Sequence, residues 1–177
     1  MLQITIPGGA SLALETLVLD YNGTVALDGE LLPGVAERLT RLAPALRIVV
    51  LTADTHGTVT RAMQGLPAEV MVIGPSGGKN GNAAPQKPEC SSVPASIPQD
   101  SAKLQALLRL DATRCVAFGN GRNDGLMLRR AALAVAVMGR EGVAAEALLA
   151  AHVTVYSIED GLDLLLHPDR LRATLRC

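Results

Sequence analysis

The residues best suited to chemistry fall in four short segments: Asp20-Tyr21-Asn22-Gly23-Thr24, Thr52-Ala53, the isolated Lys103, and Gly119-Asn120-Gly121-Arg122-Asn123-Asp124. Together they offer carboxylates, a hydroxyl, an ammonium, amide oxygens and glycines that allow close backbone approach. A carboxylate can serve as a nucleophile, while hydroxyl and ammonium groups stabilise developing charge. Three of the segments follow directly on short apolar runs, so they belong at the carboxyl ends of strands. In open parallel sheets that edge is where ligands bind.

The elements that must position these residues are legible from periodicity. Near-continuous apolar, β-branched runs at 16–20, 48–52, 70–73, 115–118, 133–137 and 153–156 read as strands buried on both faces. Between and after them, helical spacing of apolar residues occurs at 33–43, 58–64, 101–109, 123–130, 141–151 and 158–166. The alternation predicts a Rossmann-like α/β fold, a parallel sheet with helices on both faces. Pro33 suits a first helical turn, and Pro168 is expected to follow the last helix. The alternating 2–6 segment is expected as a small edge strand ended by Gly8-Gly9. From Pro75 to Asp100, 14 of 26 residues are Pro, Gly, Ser or Asn, which predicts a mobile loop within one domain spanning residues 1–177. Such a loop is either a cover for the site or an insertion without chemistry.

Composition narrows the function. With 49% hydrophobic residues and a net charge of −1, the chain has material for a core and no electrostatic case for nucleic acid or an anionic membrane. Only Tyr21, Phe118 and Tyr156 are aromatic, which argues against base-stacking platforms. No apolar run approaches the roughly 20 residues of a membrane span, and the opening segment lacks a basic n-region, so a cytoplasmic location is expected. Cys90, Cys115 and Cys177 share no metal-binding or disulfide spacing. Cys115 reads as core and the other two as exposed thiols. Gly74 to Asn80 falls one residue short of a P-loop and lacks its Ser or Thr. A dinucleotide fingerprint read through Gly119, Gly121, Gly125 and Glu141 leaves Asp20, Thr52 and Lys103 unexplained. His56, His152 and His167 share no ligand spacing, and Asp54 reads as a helix N-cap.

Taken in order, Asp20-Tyr21-Asn22-Gly23-Thr24, Thr52, Lys103 and Gly119 to Asp124 resemble the four motifs of the haloacid dehalogenase-like superfamily, and the match runs along most of the chain. More narrowly, the sequence resembles small soluble P-type-ATPase-like phosphatases of that superfamily. The resemblance implies a phosphohydrolase in which Asp20 attacks phosphorus and forms an aspartyl phosphate. Thr52 and Lys103 would meet the charge of the transferred group. Gly23, Thr24 and Ala53 would face the substrate, and Arg122, inside the last motif, is either a substrate contact or a solvated arginine. Mg²⁺ would be held by Asp20, the backbone carbonyl of Asn22 and a side chain of the last motif, Asn120 or Asp124. Position favours Lys103, whose alternative is an exposed helix lysine, although Lys79 or Lys87 from the polar loop could also reach a phosphate.

Two departures from the family pattern matter. Asn22 stands where a second Asp normally protonates the leaving group, and Asn120 stands for the first carboxylate of the last motif. Asparagine keeps an acceptor oxygen but exchanges no catalytic proton. Weak Mg²⁺ binding and leaving groups that need no proton, such as acyl phosphates or a nucleotide pyrophosphate, are then expected. The alternative is a non-catalytic or very slow phosphate-binding scaffold. Only 31 residues separate Asp20 from Thr52, too few for a large cap beside the expected helix. Capless members commonly have their site covered by another subunit, so a homo-oligomer is expected, with residues 25–30 as a short flap beside the nucleophile.

Overall fold

The computed structural model describes residues 1–53, 58–73 and 98–176. In chain order the elements are β1 (Leu2–Thr5), β2 (Ser11–Leu14), β3 (Thr16–Asp20), β4 (Ala26–Leu27), β5 (Glu30–Leu31), α1 (Val35–Leu42), β6 (Arg47–Thr52), α2 (Thr58–Ala62) and β7 (Glu69–Val72). They continue with α3 (Gln99–Arg109), β8 (Cys115–Gly119), α4 (Gly125–Arg130), β9 (Leu133–Val137), α5 (Ala145–Ala150), β10 (Val153–Val155), α6 (Ile158–Leu166) and α7 (Pro168–Leu175). Six strands form one parallel sheet in the order β10-β9-β8-β3-β6-β7. These are the six expected strands, two with unchanged limits and four shifted by a residue at one or both ends.

The sheet sorts its side chains onto two apolar layers by the alternation of a pleated strand. Leu17 and Leu19 of β3, Ile48 and Val50 of β6, and Val116 and Phe118 of β8 join one buried cluster with residues of α1, α6 and α7. Val18, Val49, Leu51 and Ala117 face the other way, against Leu107 of α3, Met127 and Leu128 of α4 and Ala147 of α5. Burial of each large side chain contributes roughly 1.5–3 kcal/mol. Because β3 and β6 are apolar between their first and last residues and β8 is apolar throughout, the polar side chains of the site emerge together at the carboxyl edge. Cys115 lies in the core as expected; its thiol meets the Leu110 carbonyl oxygen, and burial pushes its pKa up to about 11.

Helices α1 and α6 pack side by side, joined by Arg38, whose Nε and Nη2 donate to Asp163 at 2.8 and 3.1 Å. On α6, Gly161 lies flat against Phe118; a Cβ there would come within 2.5 Å of the ring. Helix α6 thus lies directly against the strand that leads to Asn120.

Several expectations need correction. Residues 2–5 do not edge the main sheet: they pair antiparallel with β2, and Gly8-Gly9 is the turn between the two. Strand β2 escapes notice because four residues carry too little periodicity. Pro168 begins a helix instead of following the last one, occupying the first turn where its missing N–H costs nothing. Pro33 precedes α1, which is entered through Gly34 at φ 74°. The expected 123–130 helix divides into a 3₁₀ turn at Arg122–Asp124 and α4. The 141–151 helix shrinks to α5, leaving Glu141 on a loop at the carboxyl edge. The polar stretch at 75–100 lies outside the described residues except for its last three, where α3 already begins at Gln99. Asp54, His56, Cys90, Cys177, Lys79, Lys87 and the 74–80 segment also lie outside them.

Candidate active site

Asp20, Thr52 and the Gly119-Asn120 pair end three adjacent strands, β3, β6 and β8, so their side chains open on one cavity of about 350 Å³. Asp20, Thr52 and Asn120 are all buried, as is Lys103 at 2% exposure. The expected exposed-helix alternative for Lys103 is therefore excluded by its position: its Nζ donates to Asp20 Oδ1 and to Asp124 Oδ1, both at 2.5 Å.

One ammonium between two carboxylates leaves an excess negative charge in a buried place. Burial first, then repulsion from Asp124, push the Asp20 carboxyl up to about 6, against the opposing pull of Lys103 and the Tyr21 backbone N–H. Burial also works against the Lys103 ammonium, but the two carboxylates outweigh it and hold Lys103 above the usual lysine value. The excess charge is what a divalent cation would neutralise. Among the described residues no cluster of three or more His, Cys, Asp or Glu side chains could hold a metal. That does not conflict with Mg²⁺, which takes one or two carboxylates, other oxygens and several waters. The donor set therefore fits such an ion.

The last motif is held by its own hydrogen bonds. Asp124 is fully buried, and its Oδ2 accepts from the backbone N–H groups of Asn120 and Gly121 at 3.1 and 2.9 Å. A Cβ on Gly119 would lie 2.5 Å from the Asp124 carboxyl carbon, so glycine is required there by close approach. The Asn120 amide donates to the Gly142 carbonyl oxygen at 3.1 Å, and its Oδ1 receives the Thr24 hydroxyl at 3.4 Å. A carboxylate could not make the first of these bonds, so this loop contact selects asparagine.

Gly23, at φ +75°, makes the tight turn after the nucleophile segment, and a Cβ on it would meet Asn120 and the Glu141 carboxylate at 2.4 and 2.7 Å. Asn22 is exposed and lines the cavity beside Asp20, as does Ala53. Thr24 is fully buried and reaches Asn120 instead of open space. Arg122 is not brought in: its side chain is 84% exposed and its Nε pairs with Glu146 Oε1 at 3.0 Å. The expected flap is the β4-β5 ribbon, tied back by the Tyr21 hydroxyl, which donates to Gly29 carbonyl oxygen at 2.9 Å. His152 accepts from the Ala134 N–H through Nδ1, a structural role that suits a loop-end residue.

Sequence reasoning missed Glu141, which lines the same cavity from the loop after β9, and Asn123, whose amide donates to Gln99 of α3 at 3.1 Å. The signal for Glu141 was available, since any residue just beyond strand 133–137 shares the edge of Asp20. The longer expected helix hid it.

No family model matches the chain. The uncharacterised proteins MJ0073 and MJ0072 of Methanocaldococcus jannaschii are similar to it in sequence: 44% identical over 36% of this chain and 68% of MJ0073, and 51% over 22% of this chain and 89% of MJ0072. Among solved structures, the cobalt-bound deoxy-D-mannose-octulosonate 8-phosphate phosphatase of Haemophilus influenzae superposes with a TM-score of 0.62 at 10% identity, over 93% of this chain and 94% of that one. The chain belongs to the family of MJ0073, and its fold is haloacid dehalogenase-like. The corresponding Moraxella catarrhalis phosphatase, solved with magnesium, phosphate and KDO, gives a TM-score of 0.58 at 14% identity over 92% of this chain and 94% of that one. A zinc-transporting PIB-type ATPase in its E2·Pi state matches at 0.55 and 20% identity, over 81% of this chain and 20% of the transporter. The haloacid dehalogenase-like fold expected from the four motifs is therefore the fold found.

Proposed function

We propose that this chain is a Mg²⁺-dependent phosphohydrolase that works through an aspartyl phosphate on Asp20. The observation that carries the reading is the buried Asp20–Lys103–Asp124 chain at the end of adjacent strands. Asp20 attacks the phosphorus in line, and the leaving oxygen departs with the bonding pair. Lys103 and the Thr52 hydroxyl face the charge on the transferred group, fixed before the reaction begins. Asp124 holds Lys103 and pins the loop of Asn120. Mg²⁺, held by Asp20, the Asn22 carbonyl oxygen and Asn120 or Asp124, would supply charge neutralisation between nucleophile and phosphate. The phosphatases of like fold, one solved with magnesium and phosphate, support a phosphorylated substrate and a divalent metal.

Between Asp20 and β6 stand only the flap and α1, which supports the absence of a cap in that stretch; a single domain and a homo-oligomer belong to the same proposal. No helix among the described residues is long and apolar enough to cross a membrane.

The test is a phosphate-release screen with Mg²⁺ over acyl phosphates, nucleotides, sugar phosphates and phosphopeptides, run on wild type and Asp20→Asn. Turnover should vanish in the variant, and BeF₃⁻ should bind wild type only with Mg²⁺. Undiminished activity in Asp20→Asn overturns the mechanism, and phosphate binding without any turnover supports the non-catalytic scaffold.

A further inference from the structure

Asn22 cannot protonate a leaving group, yet the cavity holds a second carboxylate on the solvent side. Glu141 lines it together with Asp20, Asn22 and Asn120, and its Oε2 lies over Gly23, 2.7 Å from where a Cβ would stand. It follows that the carboxylate sits against the peptide immediately after Asn22. Glu141 is exposed. It also lines an adjoining cleft of about 460 Å³ whose apolar walls include Leu27, Leu32, Val137 and Ile158. A carboxyl group on that boundary is placed between a phosphate at Asp20 and an organic group in the cleft.

Building on the proposed phosphohydrolase, we propose that Glu141 is its proton donor and acceptor, replacing the missing carboxylate at position 22, and that the substrate is a phosphate monoester of an alcohol seated in the adjoining cleft. In the first step an Asp20 carboxylate oxygen forms the new bond to phosphorus. The bond from phosphorus to the ester oxygen breaks, and that oxygen keeps the electron pair and takes the proton of the Glu141 carboxylic acid. In the second step water attacks the aspartyl phosphate and gives a proton to the Glu141 carboxylate. The Asp20–phosphorus bond breaks with its pair returning to Asp20, leaving inorganic phosphate and a reprotonated Glu141. An alkoxide leaving group needs that proton, whereas an acyl phosphate does not, so the two steps respond differently to loss of Glu141.

The test uses the full chain with Mg²⁺ and compares wild type, Glu141→Gln and the double variant Glu141→Gln/Asn22→Asp on acetyl phosphate and on a simple alkyl phosphate. With alkyl phosphate, Glu141→Gln should lose about 10²- to 10⁴-fold in turnover without phosphoenzyme accumulation, the typical weight of a placed acid or base. With acetyl phosphate it should release about one acetate per chain in a burst and then stall as acid-stable phosphoenzyme, since only the second step needs Glu141. Asn22→Asp should restore turnover in the double variant. Equal rates of wild type and Glu141→Gln, or an equal loss on both substrates without a burst, overturn the role of Glu141. If Asp20→Asn still abolishes turnover in that case, the phosphohydrolase reading stands. Absence of turnover by wild type on either substrate overturns both.

Discussion

The wall of the cavity that carries Lys103 is buried and bonded throughout, whereas the wall that carries Asn22 and Glu141 faces solvent. On the first, Asp124 uses both oxygens, one for Lys103 and one for two backbone N–H groups, and Lys103 bridges two strand-end elements. The second is made of loop residues at the edge of an open cleft. The contrast separates two demands of phosphoryl transfer. Stabilising charge on the phosphoryl oxygens is cheapest with groups that do not reorganise. Exchanging protons with a leaving group and with water requires a group that both can reach.

The largest effect that would sharpen this contrast is Lys103→Met. It leaves two carboxylates buried without their cation, and chemical denaturation at neutral pH should show a loss of about 3–5 kcal/mol. The loss should shrink near pH 5, where Asp20 takes up its proton. A loss below about 1 kcal/mol would mean that the buried wall is not held by charge.

Asp20 itself gives the next effect, with a definite sign. Its carboxyl stands at about 6 in the folded chain and near 3.9 in an unfolded one, so the folded state binds the proton more tightly. Its contribution to stability is full below about pH 4 and is lost as pH rises through about 6. In metal-free buffer, Asp20→Asn should therefore gain on wild type between pH 4 and 7, by on the order of 2–3 kcal/mol. Thermal melts across that range check it, and added Mg²⁺ should raise the melting temperature of wild type and not of the variant. Asn120→Asp should cost about 1–3 kcal/mol, because it turns a donor toward the Gly142 carbonyl into an acceptor. A more stable Asn120→Asp protein would show that asparagine is not selected by that contact. Last, Glu141→Gln should change stability by no more than about 0.5 kcal/mol, as an exposed substitution. If it unfolds the protein, the second wall is structural after all.

The sequence made the buried wall far more legible than the open one. Asp20, Thr52 and Asn120 follow strands apolar on both faces, and such runs are hard to mistake. The register of a parallel sheet then carries their last residues to one edge. Lys103 is legible from its place at the start of a helix, but its bridge between Asp20 and Asp124 depends on how α3 packs. The open wall depends on contacts between loops distant in sequence. Asn120 to Gly142 and Gly23 to Glu141 are side-chain relations that no periodicity encodes. Arg122 takes the solvated of its two readings for a related reason: the 3₁₀ turn that places Asp124 inward sends Arg122 outward to Glu146. In the fold, the elements missed were short or misread at a proline, as with β2 and α7.

The bond from the Tyr21 hydroxyl to Gly29 ties the flap to the residue next to Asp20, and Val25 and Ala26 at its base are fully buried. In terms of native-state fluctuations, opening the ribbon breaks the Tyr21–Gly29 bond and, at its base, uncovers Val25 and Ala26. The hydrogen-bonded amides of Ala26 and Leu32 at its base should therefore exchange with solvent deuterium more slowly than those of the exposed tip at Asp28 to Glu30. Substrate entry and phosphate release must then run over a standing ridge, and their rates would follow the width of the cleft, not the frequency with which a gate swings.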